Sequence, residues 1–530
     1  MINVYLDRPG LWSTRHLADG SNLAVATPLD PAADTSALEQ GLTEASVATM
    51  RGHWAAIQWD GESATIASDL LRTVPLYVAH LPQGDVGIYD SFAAAHAAAG
   101  GALDPDTADF FIHAGFAPGL ATFDDRVQVM PAAALVRVDS SGAVSVRSHE
   151  GFPLFGAERL TDADGFADRL EGALDIVMER MLAAQRGHRI VVPLSGGLDS
   201  RLLVTWLANH RVNNVLCFTY GLRGIAEVEV SRQVAESLGL DWVGVQMEPD
   251  QIRAQWAQPG MADMLAFASS GSALPHVQDW FALRHLKEAG RIDEGDIILP
   301  GHTIVGNCHD LTLLDPPASL AQTCASLTRY HVALNPRPLS RGARDAWADS
   351  LVDWQRIAQW DGSARSVQRF VEAVNVGERQ AKYINNSVHV YEFFGLRWAI
   401  PMLDVEFVQT WCDGSVDLTA SRDFYGRWIT GLYEQATGQQ TGLAEAPAAR
   451  LAPGLKGSLV KAADALGVRD LGNRVFAARA VANHPLGFSQ MGKPRSAAEI
   501  AWRQLRRQPI LGQWAEQMVE GTFHPDYRVP

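Results

Sequence analysis

The sequence predicts an α/β protein of two domains, with a β-rich N-terminal half and a C-terminal half built on a parallel sheet. Three observations predict it. The 530 residues suffice for two to four domains of about 150 residues each. Up to about Phe155, short apolar or alternating runs are separated by turn signals, with little sustained helical periodicity. Beyond Thr161, apolar residues first recur at helical spacing. β-branched runs and helices then alternate as β-α-β-α-β, which requires a parallel sheet with helices on both faces. The expected domains are 1–158 and 159–530.

In the first half, HWAAIQWD from His53, SATIASDLL from Ser63, PLYVAHL from Pro75, DVGIYDSF from Asp85 and ALVRVDSSGAVSVRSH from Ala134 read as strands. Asp139–Gly142 is the expected hairpin turn, and a helix is expected near Thr107–Gly115. Thr161 is placed as the N-cap of a helix carrying Phe166, Leu170, Leu174, Val177 and Met181. Next come a strand Ile190–Leu194, a helix from Arg201, a strand Val215–Thr219, a helix Glu227–Leu238 and a strand Trp242–Gln246. A short strand Asp296–Pro300 ends at a turn, Gly301. Helical patterns dominate from Leu311, with a loop near Pro447–Gly457.

Composition narrows the function. A net charge of −16 argues against wholesale nucleic-acid binding. Charge is uneven, because Arg450–Pro530 carries 12 Lys and Arg against 6 Asp and Glu. That basic segment reads either as a solvated helical face or as the border of an anionic site. No run of about 18 uncharged apolar residues exists, so no membrane span or membrane partner is expected. The opening MINVYLDRPGLWSTRHL has acid and proline where a signal peptide needs an apolar core. The cysteines Cys217, Cys308, Cys324 and Cys412 form no CxxC pair, which fits a reducing cytoplasm and argues against zinc or persulfide chemistry.

The chemistry concentrates in Arg189–Arg201, RIVVPLSGGLDSR: a strand, a glycine turn and a helix start. Glycines let a ligand approach the backbone, and helix-end N–H groups favour an anion. Leu194, Ser195, Gly196, Gly197, Leu198, Asp199 and Ser200 are therefore the expected phosphate-binding segment. Asp199 would repel phosphate unless a divalent cation sat between them, so ATP with Mg²⁺ is the expected pair. No G-x-x-x-x-G-K-[ST] occurs, so this is not a Walker loop.

The turn resembles the SGGxDS motif of the PP-loop ATP pyrophosphatases, which cleave ATP between the α- and β-phosphates and adenylate a substrate. Further stretches resemble the asparagine synthetases and their relatives: Asp69–Tyr77 (DLLRTVPLY, with Arg72 where the family has glycine), Thr122–Pro131, Glu227–Leu240 and Gly395–Asp404 (GLRWAIPMLD). The resemblance implies an N-terminal Ntn-hydrolase-like αββα sandwich and a C-terminal PP-loop parallel-sheet adenylating domain with a helical extension. The family's glutaminase half works with an N-terminal cysteine, whereas Met1 here precedes Ile2. An inactive glutaminase is the pattern of β-lactam synthetases and lasso-peptide cyclases. In the other half, the turn after Asp296–Pro300 usually carries an acid for Mg²⁺. Here it reads Gly301-His302-Thr303-Ile304-Val305-Gly306, leaving Asp310 as the substitute metal ligand and His302 as a ligand contact or a structural hydrogen-bonder. Arg397 stands where the family has a base, and arginine cannot be one. Glu392 or Tyr391 is the expected replacement. Lys456, or else Lys461, is expected to neutralise the adenylate transition state, with adenine against Phe218 and Gly301 as a further ATP contact.

The reading is an ATP-dependent carbon–nitrogen ligase. It adenylates a carboxylate and joins it to an amine already in the substrate, a peptide being one such substrate, giving an amide, lactam or macrolactam. An asparagine synthetase using ammonia or glutamine, and a non-catalytic nucleotide-binding scaffold, are the alternatives. A homodimer or a biosynthetic partner protein is compatible with either class.

Overall fold

The computed structural model describes residues 1–8, 10–29, 35–148, 154–306, 308–439, 484 and 486–529. Three sheets organise them. The first has the order β1-β7-β6-β8, from Ile2–Tyr5, Val86–Tyr89, Tyr77–His80 and Val127–Val129. The second is antiparallel, ordered β10-β9-β5-β4-β3-β2. Its strands are Val144–Ser148, Ala134–Asp139, Ser63–Ser68, Ala55–Trp59, Asn22–Ala26 and Trp12–His16. These two sheets share one dry layer, in which Ile2, Val78 and Ile88 from one meet Ile57, Ile66 and Val136 from the other. Burial of alternate residues on facing strands drives that pairing. The outer face of the second sheet packs Leu23, Val25 and Ala56 under Leu38 and Val47 of two short helical turns. The helix Phe92–Ala99 lies on the first sheet. The layering is therefore helix, sheet, sheet, helix.

The third sheet is wholly parallel, in the order β13-β12-β11-β14-β15. Its strands are Asp241–Met247, Val215–Leu222, Ile190–Pro193, Ile297–Ile298 and Arg397–Trp398. Ile190, Val191, Val192, Ile297 and Ile298 are all fully buried, as a sheet covered on both faces demands. Strand order runs outward from β11 in both directions. The crevice at the carboxyl ends of β11 and β14 is thus the topological switch point, where such sheets bind ligands.

Several sequence expectations shift slightly. Asp162, not Thr161, caps the helix Ala163–Gln185, its carboxylate accepting from Gly165 N at 2.7 Å. Both residues can cap, and the Asp sits one position nearer the first helical turn. The helix expected from Arg201 begins at Leu198, because the glycine turn itself supplies the N-cap, Gly197. The strand expected at Asp296–Pro300 is only Ile297–Ile298, and β15, two residues long, was not foreseen. The Asp139–Gly142 hairpin forms as expected, with Gly142 at φ +82. The loop Pro447–Gly457 lies outside the described residues.

The halves are stitched together by backbone. Ala117 N donates to Ser272 O at 2.7 Å, Phe123 N to Gly271 O at 2.8 Å, and Leu274 N to Gly115 O at 2.9 Å. One apolar cluster runs through both, from Phe92 and Phe110 to Trp280 and Trp411. Among the described residues no helix is long and apolar enough to cross a membrane.

Candidate active site

The glycine turn leaves β11 at Pro193, and Leu194 N still bonds Phe218 O of β12 at 2.8 Å. Ser195 N donates to Ser200 Oγ at 3.1 Å, and the two hydroxyls are themselves 3.1 Å apart. Gly197 N donates to Ser195 Oγ at 3.2 Å. The 12-residue helix Leu198–Asn209 thus starts with no capping bond from its own N-cap side chain. An uncapped helix start at a switch point is a place for an anion. A carboxylate oxygen already tests the position: Glu227 Oε1 accepts from Gly196 N at 3.4 Å. Beneath the turn, the buried Arg201 guanidinium donates to Gly196 O at 3.1 Å and lies 5.4 Å from the Tyr433 ring centre.

Gly301 is where the turn after β14 meets this helix. A Cβ on it would stand 2.9 Å from Ser200 N, a backbone atom that cannot step aside, so the close approach requires glycine.

Together these elements wall an open cleft of about 280 Å³, at the lower end of small-molecule sites. Of the sequence-predicted residues, Leu194, Ser195, Asp199, Ser200, Phe218, Gly301 and Tyr391 line it, as does His302. Gly196, Gly197 and Leu198 belong to the turn, Leu198 facing inward at 4% exposure.

The remaining predictions fall elsewhere. Glu392 does not enter the cleft. It accepts from Arg8 at 3.1 Å and Trp398 Nε1 at 3.0 Å, with His389 at 2.8 Å, and so joins the two halves. Successive helical side chains diverge by about 100°, so Tyr391 and Glu392 cannot share a target. Burial alone would raise the Glu392 carboxyl, but His389, Arg8 and Trp398 overrule it and hold it at about 2. Asp310 caps the turn Leu311–Leu313, accepting from Thr312 N at 3.1 Å and Thr312 Oγ1 at 2.6 Å, and is not a cleft residue. A short polar side chain ahead of a helical turn is drawn to the turn's own N–H groups. Arg397 donates to Gly295 O, Ala184 O and Leu29 O, at the opposite end of β14. Lys456 and Lys461 lie outside the described residues.

Asp199 was expected to hold Mg²⁺. Instead Arg422 Nη2 donates to its Oδ1 at 2.9 Å, and Tyr425 also hydrogen-bonds it. Arg422 is fixed in turn by Val305 O at 3.2 Å. Among the described residues no group of three or more His, Cys, Asp or Glu could hold a metal ion. As arranged, these side chains do not fit a protein-held Mg²⁺, since the cationic partner of Asp199 is already a guanidinium.

Three groups escaped the sequence: Asp279, Tyr220 and Arg422. Asp279, 7% exposed, accepts from Tyr391 Oη at 2.8 Å and from the Tyr220 hydroxyl. Burial first, then the Asp279 charge, pushes both tyrosines well above their ordinary value. His302 is drawn down to about 4 by loss of solvent and by nearby His276, with Asp279 opposing; among the described residues its Nδ1 has no partner. The only signal for Asp279 was an acid set between the apolar Val277 and Trp280. Arg422, 223 residues from its partner, left none.

Comparison with known proteins gives one family match. Residues 171–273 match the family described as asparagine synthase, a span holding β11, the glycine turn, β12 and β13. Comparison with curated protein sequences gave no match. Among solved structures, the NH3-dependent NAD synthetase of Campylobacter jejuni aligns at 14% identity, over 39% of this chain and 93% of its own, with a TM-score of 0.21. The glutamine phosphoribosylpyrophosphate amidotransferase of B. subtilis aligns at 9% identity, over 68% of this chain and 74% of its own, with a TM-score of 0.17. Likenesses at those scores add nothing further.

Proposed function

We propose that this chain, whose residues 171–273 match the asparagine synthase family, is an ATP-dependent ligase that adenylates a carboxylate and closes an amide or lactam with an amine of the substrate. One observation carries the reading: an uncapped helix start, Ser195–Ser200, opens at the switch point of a parallel sheet onto an open cleft.

The polyphosphate would lie on the Ser195–Ser200 turn, displacing Glu227 from Gly196 N, with the base toward Phe218. The substrate carboxylate attacks the α-phosphorus and pyrophosphate leaves. Arg422 holds Asp199 and steadies the turn from the far side. Among the described residues this pairing leaves no ready-made site for Mg²⁺. An amine then attacks the acyl carbon and AMP leaves. The Tyr391 oxygen takes the amine's proton while passing its own to Asp279, a relay for which their 2.8 Å contact is suited. His302, neutral near pH 7, offers the incoming group a hydrogen-bonding nitrogen without charge.

The N-terminal half is an Ntn-hydrolase-like scaffold in this reading, with 1–158 and 159–530 as its domains. Ile2 lies in the layer between the sheets at 2% exposure and brings no nucleophile, which favours a substrate amine over glutamine. Four free thiols and the need for ATP suit a cytoplasmic reaction.

The test is ATP conversion in the presence of carboxylate and peptide pools, read as AMP and pyrophosphate with a product lighter by one water. Asp199→Ala, which frees Arg422 and unsettles the turn, is expected to cut pyrophosphate release about 100-fold or more. Undiminished release would favour a scaffold that binds nucleotide elsewhere, and glutamate formed from added glutamine would overturn the reading of the N-terminal half.

A further inference from the structure

A second cavity, of about 570 Å³, opens between the halves, away from the cleft. Loops at Pro118–Ala121 and Pro131–Ala134 form one wall, and the helix Arg341–Ile357 with Glu378 and Lys382 the other. Most polar groups on its inner wall are committed. Glu378 accepts from Ser350 at 2.7 Å, Trp354 Nε1 at 2.9 Å and Lys382. Lys382 also donates to Ala117 O and Gly119 O.

Arg72 is the exception. It is 4% exposed and lines the cavity, and its Nε and Nη1, sealed just beneath the cavity surface, have no hydrogen-bond partner among the described residues. The nearest acids, Glu378 and Asp69, do not relieve it. Asp69 is occupied by Trp54 N at 2.9 Å, Leu71 N at 2.8 Å and the Thr73 hydroxyl. Its backbone also sits at φ +52, in the left-handed region that favours glycine. A buried cation with idle donors on a strained backbone is costly to keep, and a fold retains such a group where something else meets it.

We infer that this cavity binds a small monocarboxylate with an apolar body, its carboxylate on Arg72 and its body against Leu120, Val146 and Ile357. Asp349 and Asp353, also on the cavity wall, disfavour a phosphate dianion, which separates this ligand from the nucleotide.

Calorimetric titration of the full chain, without ATP, makes the outcome independent of whether the chain is a ligase. The probes are sodium octanoate, sodium 3-phenylpropionate, the uncharged 3-phenylpropionamide and inorganic phosphate. Saturable binding of a carboxylate is expected, with the amide at least roughly thirtyfold weaker. Arg72→Gly should weaken carboxylate binding by the same factor, while its melting temperature stays at or above that of the parent. Val146→Trp, at a position 42% exposed and so tolerant of change, should obstruct binding without unfolding the chain. The inference falls if neither carboxylate binds, if amide or phosphate binds as well as carboxylate, or if Arg72→Gly lowers the melting temperature. Binding that survives either substitution also overturns it.

Discussion

At Tyr391 the phenol is buried, and the Asp279 carboxylate keeps it protonated far above neutral pH. It cannot act as a free phenolate; it can hand a proton on. Tyr391→Phe removes the relay and leaves the ring. It should lower the amide-forming step about 100-fold while exchange of pyrophosphate into ATP, which needs only adenylation, persists. Tyr220→Phe should cost less, since Asp279 keeps Tyr391. Equal loss in both steps would mean the hydroxyl serves the cleft's shape. The sequence singled out Tyr391 by its place on the helix, but not its partner: Asp279 arrives from 112 residues away, beyond the reach of periodicity.

The helix bearing Tyr391 has a second face, and there Glu392 fastens the N-terminal half through Arg8. Its carboxyl is held near 2 against an ordinary 4.5. A depressed acid stabilises the fold above its ordinary value, and that contribution is lost as pH falls from about 4.5 toward 2. Denaturant midpoints measured from pH 5.5 down to 2.5 should therefore drop through that window, and Glu392→Gln should flatten the drop. An unchanged slope would place the acid sensitivity elsewhere. Elements with strong periods were legible: β11, β12, β13 and the helices between them appear within a few residues of their expected bounds. β15 was not, because two residues carry no period, and β14 shrank because the backbone leaves the ladder just after Leu299, whose N–H still donates to Val191 O.

For the whole molecule, one apolar cluster threads both halves, and backbone bonds cross the seam at Ala117, Phe123 and Leu274. Calorimetric melting of the intact chain should therefore give a single transition, and residues 159–530 expressed alone should be insoluble or protease-sensitive. Two separate transitions would show the halves to be independent. Such a seam was illegible in the sequence, where a strand-rich stretch followed by an alternating one reads as two bodies, since each contact across it joins distant residues.

The turn after β14 is boxed at both ends: a side chain at Gly301 would strike Ser200 N, and one at Gly306 would come within 2.5 Å of Arg422 Cγ. Ile304 and Val305 are sealed in the core. Within this turn, inherited variation can reach the cleft wall only at position 302. Descendants of this chain that have moved to a new substrate are expected to carry their first change in this turn there, and a directed library built on His302 alone is the shortest walk to altered selectivity.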